Sequence, residues 1–280
     1  MITDGNRLPG TVWRRALFTG GACACLLVAV YLLAVWTPAG QRFEDAVLKA
    51  AELTVDGTAG VRATDLLDRI TVPTTAAAVV VVLVLGLVRR RPFLAFTAAA
   101  VIVGSVVTTL LIRASMHRPV LLPHGTRRED QSFPSGHVAV AMSVMCALVL
   151  VAPYRFRGAV VFLVSLWAAS IEVATVTASW HRPSDTIGSD LIVLVYTCAA
   201  IAVLARSGWV RASALPTPAG RAARGILVGA YGGAAILAMT VAAAAPVLTA
   251  GRAIALCGST AVALTLLALL RGVDLDKDTS

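Results

Sequence analysis

Three short polar inserts carry the residue types that could do chemistry. The first is SWHRPSD, residues 179–185, in which His181 and Asp185 stand four apart with Arg182 and Pro183 between them. An imidazole can attack phosphorus and hold it covalently if a carboxylate fixes its other nitrogen, and Asp185 is spaced to accept the His181 N–H. The same spacing suits a plain helix start, with Pro183 in the first turn and Ser184 or Asp185 as cap. The second insert is SFPSGH, residues 132–137. Ser135 is a favoured N-cap for the apolar run that follows, and a helix start offers backbone N–H groups and a positive dipole end to an anion beside His137. The third is RASMHRP, residues 113–119, where Arg113 and Arg118 precede the helix-stopping Pro119. Guanidinium is planar and multidentate, which suits phosphate, although arginines at a membrane boundary also snorkel to the surface.

The elements around these inserts are apolar. The 280 residues are 58% hydrophobic and 14% charged, against about 25% charged in a soluble domain. Runs of roughly 20 apolar residues can cross a bilayer, and eight candidates occur, at about 16–36, 71–88, 93–112, 137–153, 159–179, 186–205, 225–247 and 252–270. The expected fold is all-α, a polytopic membrane bundle. Arg7, Arg14 and Arg15 precede the first run, which reads as a retained helix and not a cleaved leader. With the N-terminus cytoplasmic, the 24 basic residues divide 14 inside and 10 outside, the direction the positive-inside rule requires. Segments 37–70, 113–136 and 180–185 then face outside, the first as a loop with amphipathic helical patches such as FEDAVLKAAEL. His117, His124, His137 and His181, all four histidines, fall in or beside the latter two segments. The net charge of +9 is scattered between spans, without the long basic runs and interleaved aromatics of a nucleic-acid binder. The five cysteines lie within spans at no metal-like or CxxC spacing.

Together the inserts describe one site on one face of the membrane. Arginines and N–H donors hold a phosphoryl group, one histidine attacks, and the other protonates the leaving oxygen. No acidic cluster is available for Mg²⁺, so arginines must balance the developing charge and no metal is expected. The pattern resembles the type-2 phosphatidic acid phosphatase superfamily, which has the motifs K-x6-R-P, P-S-G-H and S-R-x5-H-x3-D. Arg118 and Pro119 match the end of the first. Pro134, Ser135, Gly136 and His137 match the second, and His181 and Asp185 match the H-x3-D of the third. The resemblance covers about residues 90–205. It implies a six-helix core, here with about two further C-terminal helices. It also implies a hydrolase acting on a membrane lipid or polyprenyl phosphate or diphosphate at the outer face of the plasma membrane. His181 would be the nucleophile, Asp185 its orienting group and His137 the general acid. Arg113, Arg118, Ser135, Gly136 and Arg182 would bind the phosphoryl oxygens.

The sequence departs from the family at two places. The first-motif lysine would fall at Leu111, with Arg113 two residues on as its replacement. The third-motif serine and arginine would fall at Ala174 and Thr175. Arg182 is the expected substitute cation, with Arg127 and Arg128 as alternates. Glu172, in the middle of a span, is expected to face the bundle interior, either paired with Arg113 or Arg182 or as a hydrogen-bonded structural residue. Residues 1–205 are expected to form the phosphatase domain, and 206–280 a cytoplasmic linker with a helix pair. Two rival functions use the same residues differently. A phosphotransferase would pass the phosphoryl group to another alcohol, and a transport or assembly protein would not need His181.

Overall fold

A computed structural model describes residues 7–122, 132–212 and 218–275. These described residues form a bundle of ten helices: α1 (Arg7–Val30), α2 (Pro38–Glu52), α3 (Thr58–Leu67), α4 (Val72–Val88), α5 (Pro92–Ser115), α6 (Gly136–Val151), α7 (Arg157–Thr177), α8 (Pro183–Arg206), α9 (Pro218–Ala244) and α10 (Val247–Leu269). A two-residue strand pair joins Arg211–Ala212 to Val273–Asp274. Among the described residues, six helical segments are long and apolar enough to cross a membrane. They are joined by the bent pair α3–α4, which turns through 59°, and by the shorter apolar α6. The eight apolar runs of the sequence thus each have a helix.

Burial ranks the helices. The apolar stretch of α8 is 72% buried, whereas those of α1 and α9 are 11% buried. Phe18, Phe96 and Ile226 stand exposed on the outer helices, where lipid replaces water as their surroundings. α6 is buried along most of its length. The helices that carry the first and second inserts are therefore the centre of the bundle. α9 and α10 pack on this core, α10 against α7, α8 and α2.

One end of the bundle is basic and binds helix termini. Arg15 donates to Ala268 O at 2.7 Å and Arg157 to Val273 O at 2.7 Å. Arg89 donates to Val151 O and Arg224 to Leu267 O. Arg15, Arg89 and Arg224 thus meet the negative ends of α6 and α10, and Arg157 holds the short strand that follows α10. The three inserts lie together at the opposite end.

The 37–70 segment is more ordered than a loop with helical patches, because it forms α2 and α3. Thr37 caps α2 by accepting the Gly40 N–H at 3.0 Å, with Pro38 behind it. Gly40 is needed at this corner: a Cβ there would lie 2.2 Å from Leu33 O. The buried face of α2 is Gln41, Glu44, Val47, Leu48 and Ala51, a helical stripe with two polar members. Gln41 fastens the helix, donating to Val35 O at 2.7 Å and Pro119 O at 2.6 Å and accepting from Leu121 N at 3.2 Å. Gly251 of α10 fits under both α2 and α8. A Cβ there would lie 2.5 Å from Val47 and 3.4 Å from Pro183.

Candidate functional site

The SWHRPSD turn is built by the end of α7. The Thr175 carbonyl accepts both the Trp180 N–H at 3.0 Å and the His181 N–H at 3.2 Å. Ser179 takes φ 58°, a left-handed conformation costly for a residue with a Cβ, and this reverses the chain. Its hydroxyl donates to Leu48 O of α2 at 3.4 Å. Pro183 then opens α8, and Asp185 sits in its first turn. Asp185 Oδ2 lies 3.3 Å from His181 Nδ1 and accepts the Arg182 N–H at 2.9 Å. Both sequence readings of Asp185 hold at once: it faces the imidazole and it caps the helix. With Nδ1 turned to Asp185, Nε2 is the ring nitrogen left for other partners.

The SFPSGH insert is stapled to the same helix start. Ser135 N donates to Asp185 O at 3.0 Å, and Ser189 Oγ donates to Ser135 O at 2.7 Å. Ser135 Oγ accepts the Val138 N–H at 3.4 Å as N-cap of α6. Phe133 anchors the insert over Gly188, where a Cβ would lie 2.6 Å from its ring. His137 is brought to 6.4 Å from His181 between ring centroids, and packs edge-on to Trp180 at 5.1 Å. Gly136 and His137 are partly exposed, whereas the His181 side chain is 4% exposed.

The arginines are placed unequally. Arg182 Nη1 donates to Ser132 Oγ at 3.1 Å, and its Nη2 lies 3.2 Å from Asp45 Oδ1. Arg118 Nη2 lies 3.2 Å from Glu44 Oε2, and Glu44 Oε1 accepts the Ser184 N–H at 2.9 Å. Burial pushes the Glu44 carboxyl above the ordinary range and the charge of Asp185 adds to this, against the pull of Arg118 and the Ser184 N–H. Arg113 is exposed at the last turn of α5, close enough for its charge to act on His137. Leu111 is 63% exposed, so the register of the family lysine points away from the bundle. His124, Arg127 and Arg128 lie outside the described residues.

As the sequence indicates, no cation stands at Thr175: its side chain is fully buried, its hydroxyl donates to Glu172 O at 2.7 Å, and its carbonyl shapes the His181 turn. Glu172 does not reach Arg182, which is engaged with Ser132 and Asp45. Its polar neighbours are Asp190, Thr186 and Ser259. A Cβ on Gly258 would lie 2.3 Å from Asp190 Oδ2 and 2.7 Å from Glu172 Oε1, so the two carboxyls converge on α10. α8 rotates Asp190 toward α7 and α10, while Arg182 precedes the helix and turns toward α2.

Glu44, Asp45 and Asp190 were not picked out by sequence reasoning. The signal for Glu44 was an acid at helical spacing from Val47, Leu48 and Ala51. Asp190 repeats the Glu172 signal, an acid inside an apolar run. No group of three or more His, Cys, Asp or Glu side chains suited to a metal occurs among the described residues.

Residues 94–209, which hold α5–α8 and both histidine motifs, match the model of the PAP2 superfamily. The likeness to that superfamily lies in this stretch. No curated protein and no solved structure matches the chain. The PAP2 region supports a phosphatase-type hydrolase, and the apolar helices support a multi-pass membrane protein. α2 and α10, which close over the site and beneath it, lie outside the matched residues.

Proposed function

We propose that this PAP2 protein hydrolyses a phosphate or diphosphate ester of a membrane lipid or polyprenol through a phosphohistidine intermediate. The observation that carries this reading is the His181–Asp185 contact at 3.3 Å with His137 across from it at 6.4 Å between rings. One phosphoryl group can meet both imidazoles.

The steps follow from that placement. Asp185 keeps the His181 proton on Nδ1, so the Nε2 lone pair attacks phosphorus. The bond from phosphorus to the ester oxygen breaks, and protonated His137 gives its proton to that leaving oxygen. Water then attacks the phosphorus, His137 takes the water's proton, and the P–N bond breaks to release phosphate and free His181. Arg118, Arg182 and Arg113 balance charge on the non-bridging oxygens, aided by N–H groups at Ser135–Gly136 and the start of α6. No step calls on a metal. The arginine-rich end opposite the site supports a cytoplasmic N-terminus and an outward-facing site in the plasma membrane. Residues 1–205 would be the phosphatase unit, with 206–280 as its added linker and helix pair.

The test is phosphate release by detergent-purified protein in EDTA. The panel is phosphatidic acid, phosphatidylglycerol phosphate and polyprenyl mono- and diphosphates, with wild type beside His181→Ala. Release by wild type alone is expected. Equal release by both proteins, or none by folded wild type, removes the reading.

A further inference from the structure

Arg118 and Arg182 are buried guanidiniums at the site, and each already faces a carboxylate. The two carboxylates belong to consecutive residues of α2, outside the PAP2 match. Glu44 is held as a phosphoryl oxygen would be. One of its oxygens lies 3.2 Å from a guanidinium, and the other takes a backbone N–H at the start of α8 at 2.9 Å. Asp45 Oδ1 lies 3.2 Å from Arg182 Nη2. α2 thus sets two anionic groups on the cations that a phosphorylated substrate needs.

Resting on the phosphatase reading, we propose that Glu44 and Asp45 are specificity-determining residues, internal competitors that a substrate must displace from Arg118 and Arg182. The physical reason lies in the surroundings. A bilayer presents phosphodiester headgroups in great excess, and each phosphodiester carries a single negative charge. A terminal phosphate monoester approaches two charges near neutral pH. Bare arginines would bind both. When the arginines start out paired, exchanging a carboxylate for a phosphodiester replaces one negative charge by another and gains little. Exchanging it for a dianion adds attraction. The carboxylates therefore lower affinity for every phosphate but lower it most for the abundant singly charged ones.

The exchange needs side-chain rotation and no movement of the helix. Gln41 fixes α2 through three hydrogen bonds. The Asp45 side chain is 18% exposed and has an edge toward solvent.

The test uses full-length protein in detergent micelles with Glu44→Gln, Asp45→Asn and the double variant. Glutamine retains an oxygen for the Ser184 N–H but turns an amide toward Arg118. Inorganic phosphate is titrated by thermal shift. Hydrolysis of a short-chain phosphatidic acid is then measured with added phosphatidylglycerol, a phosphodiester monoanion, or phosphatidylcholine as control. Both single variants should bind inorganic phosphate about tenfold tighter than wild type, a shift of one exchanged ion pair. Phosphatidylglycerol should inhibit them about tenfold more strongly than wild type. Unchanged phosphate affinity and unchanged inhibition overturn the proposal, and so does loss of phosphate binding, which would make the acids positioning residues. If Glu44→Gln does not fold, the partly exposed Asp45→Asn decides alone. If wild type hydrolyses no monoester, the phosphatase reading fails, and the phosphate titration still decides whether the carboxylates guard an anion site.

Discussion

Replacing Asp185 by asparagine changes one charge and almost no volume. The retained oxygen can still accept the Arg182 N–H, now 2.9 Å away, so the start of α8 survives. What is lost is the negative charge 3.3 Å from His181 Nδ1, between side chains 4% and 0% exposed. When His181 attacks phosphorus its ring becomes cationic. Coulomb's law at that separation, with an effective dielectric constant of about 20, gives about 5 kcal/mol of attraction. Withdrawing it should lower kcat by about 10³- to 10⁴-fold. The assay is the rate of phosphate release by wild type and Asp185→Asn at saturating substrate, with thermal unfolding of both in the same detergent. A folded variant whose kcat stays within about tenfold of wild type would refute the reasoning and leave Asp185 as a helix cap.

Arg182→Ala should reduce kcat/KM by at least about tenfold, because it removes a guanidinium bonded to Ser132 and leaves Asp45 unpaired beside the site; steady-state kinetics on the same substrate check this. Gly188→Ala puts a methyl group 2.6 Å from the fully buried Phe133 ring. It should cost about 1–3 kcal/mol of stability and lower activity by displacing Ser135 and His137, read by melting temperature and kcat together. Glu44 has its carboxyl raised above 4.5 by burial. Its contribution to stability is therefore full below 4.5 and declines as pH rises through the folded-state value. The melting temperature of Glu44→Gln relative to wild type should climb as pH rises above 4.5; a pH-independent difference would contradict the burial argument.

Most of the frame was legible because a bilayer permits few solutions. Long apolar runs must be helices, and the polar inserts must gather at their ends. The pairing of His181 with Asp185 was readable because four residues span one helical turn. The staple from Ser135 to Asp185 was not, because it joins positions fifty residues apart through backbone groups that any sequence carries. Nor were the partners of Arg118 and Arg182 legible. Glu44 and Asp45 lie in a mixed-charge segment whose composition suits many solvated loops, and only the seating of α2 under Gln41 aims them at the site. Of the two readings of Glu172, the structural one stands, among Asp190, Thr186 and Ser259, and the arginine pair failed for a related reason. Charge complementarity named an arginine, but helix rotation supplied a second acid, Asp190.

Gly251 has a consequence for the order in which the protein becomes active. It lets α10, which is synthesised after both, press on Val47 of α2 and Pro183 of α8. Every residue of both histidine motifs is in the membrane before that contact can form. A nascent chain thus holds its reactive groups for a time without the brace that seats α2 over them. Insertion of α10 then works as a timer, delivering the finished arrangement of acids and arginines only once that span has joined the bundle.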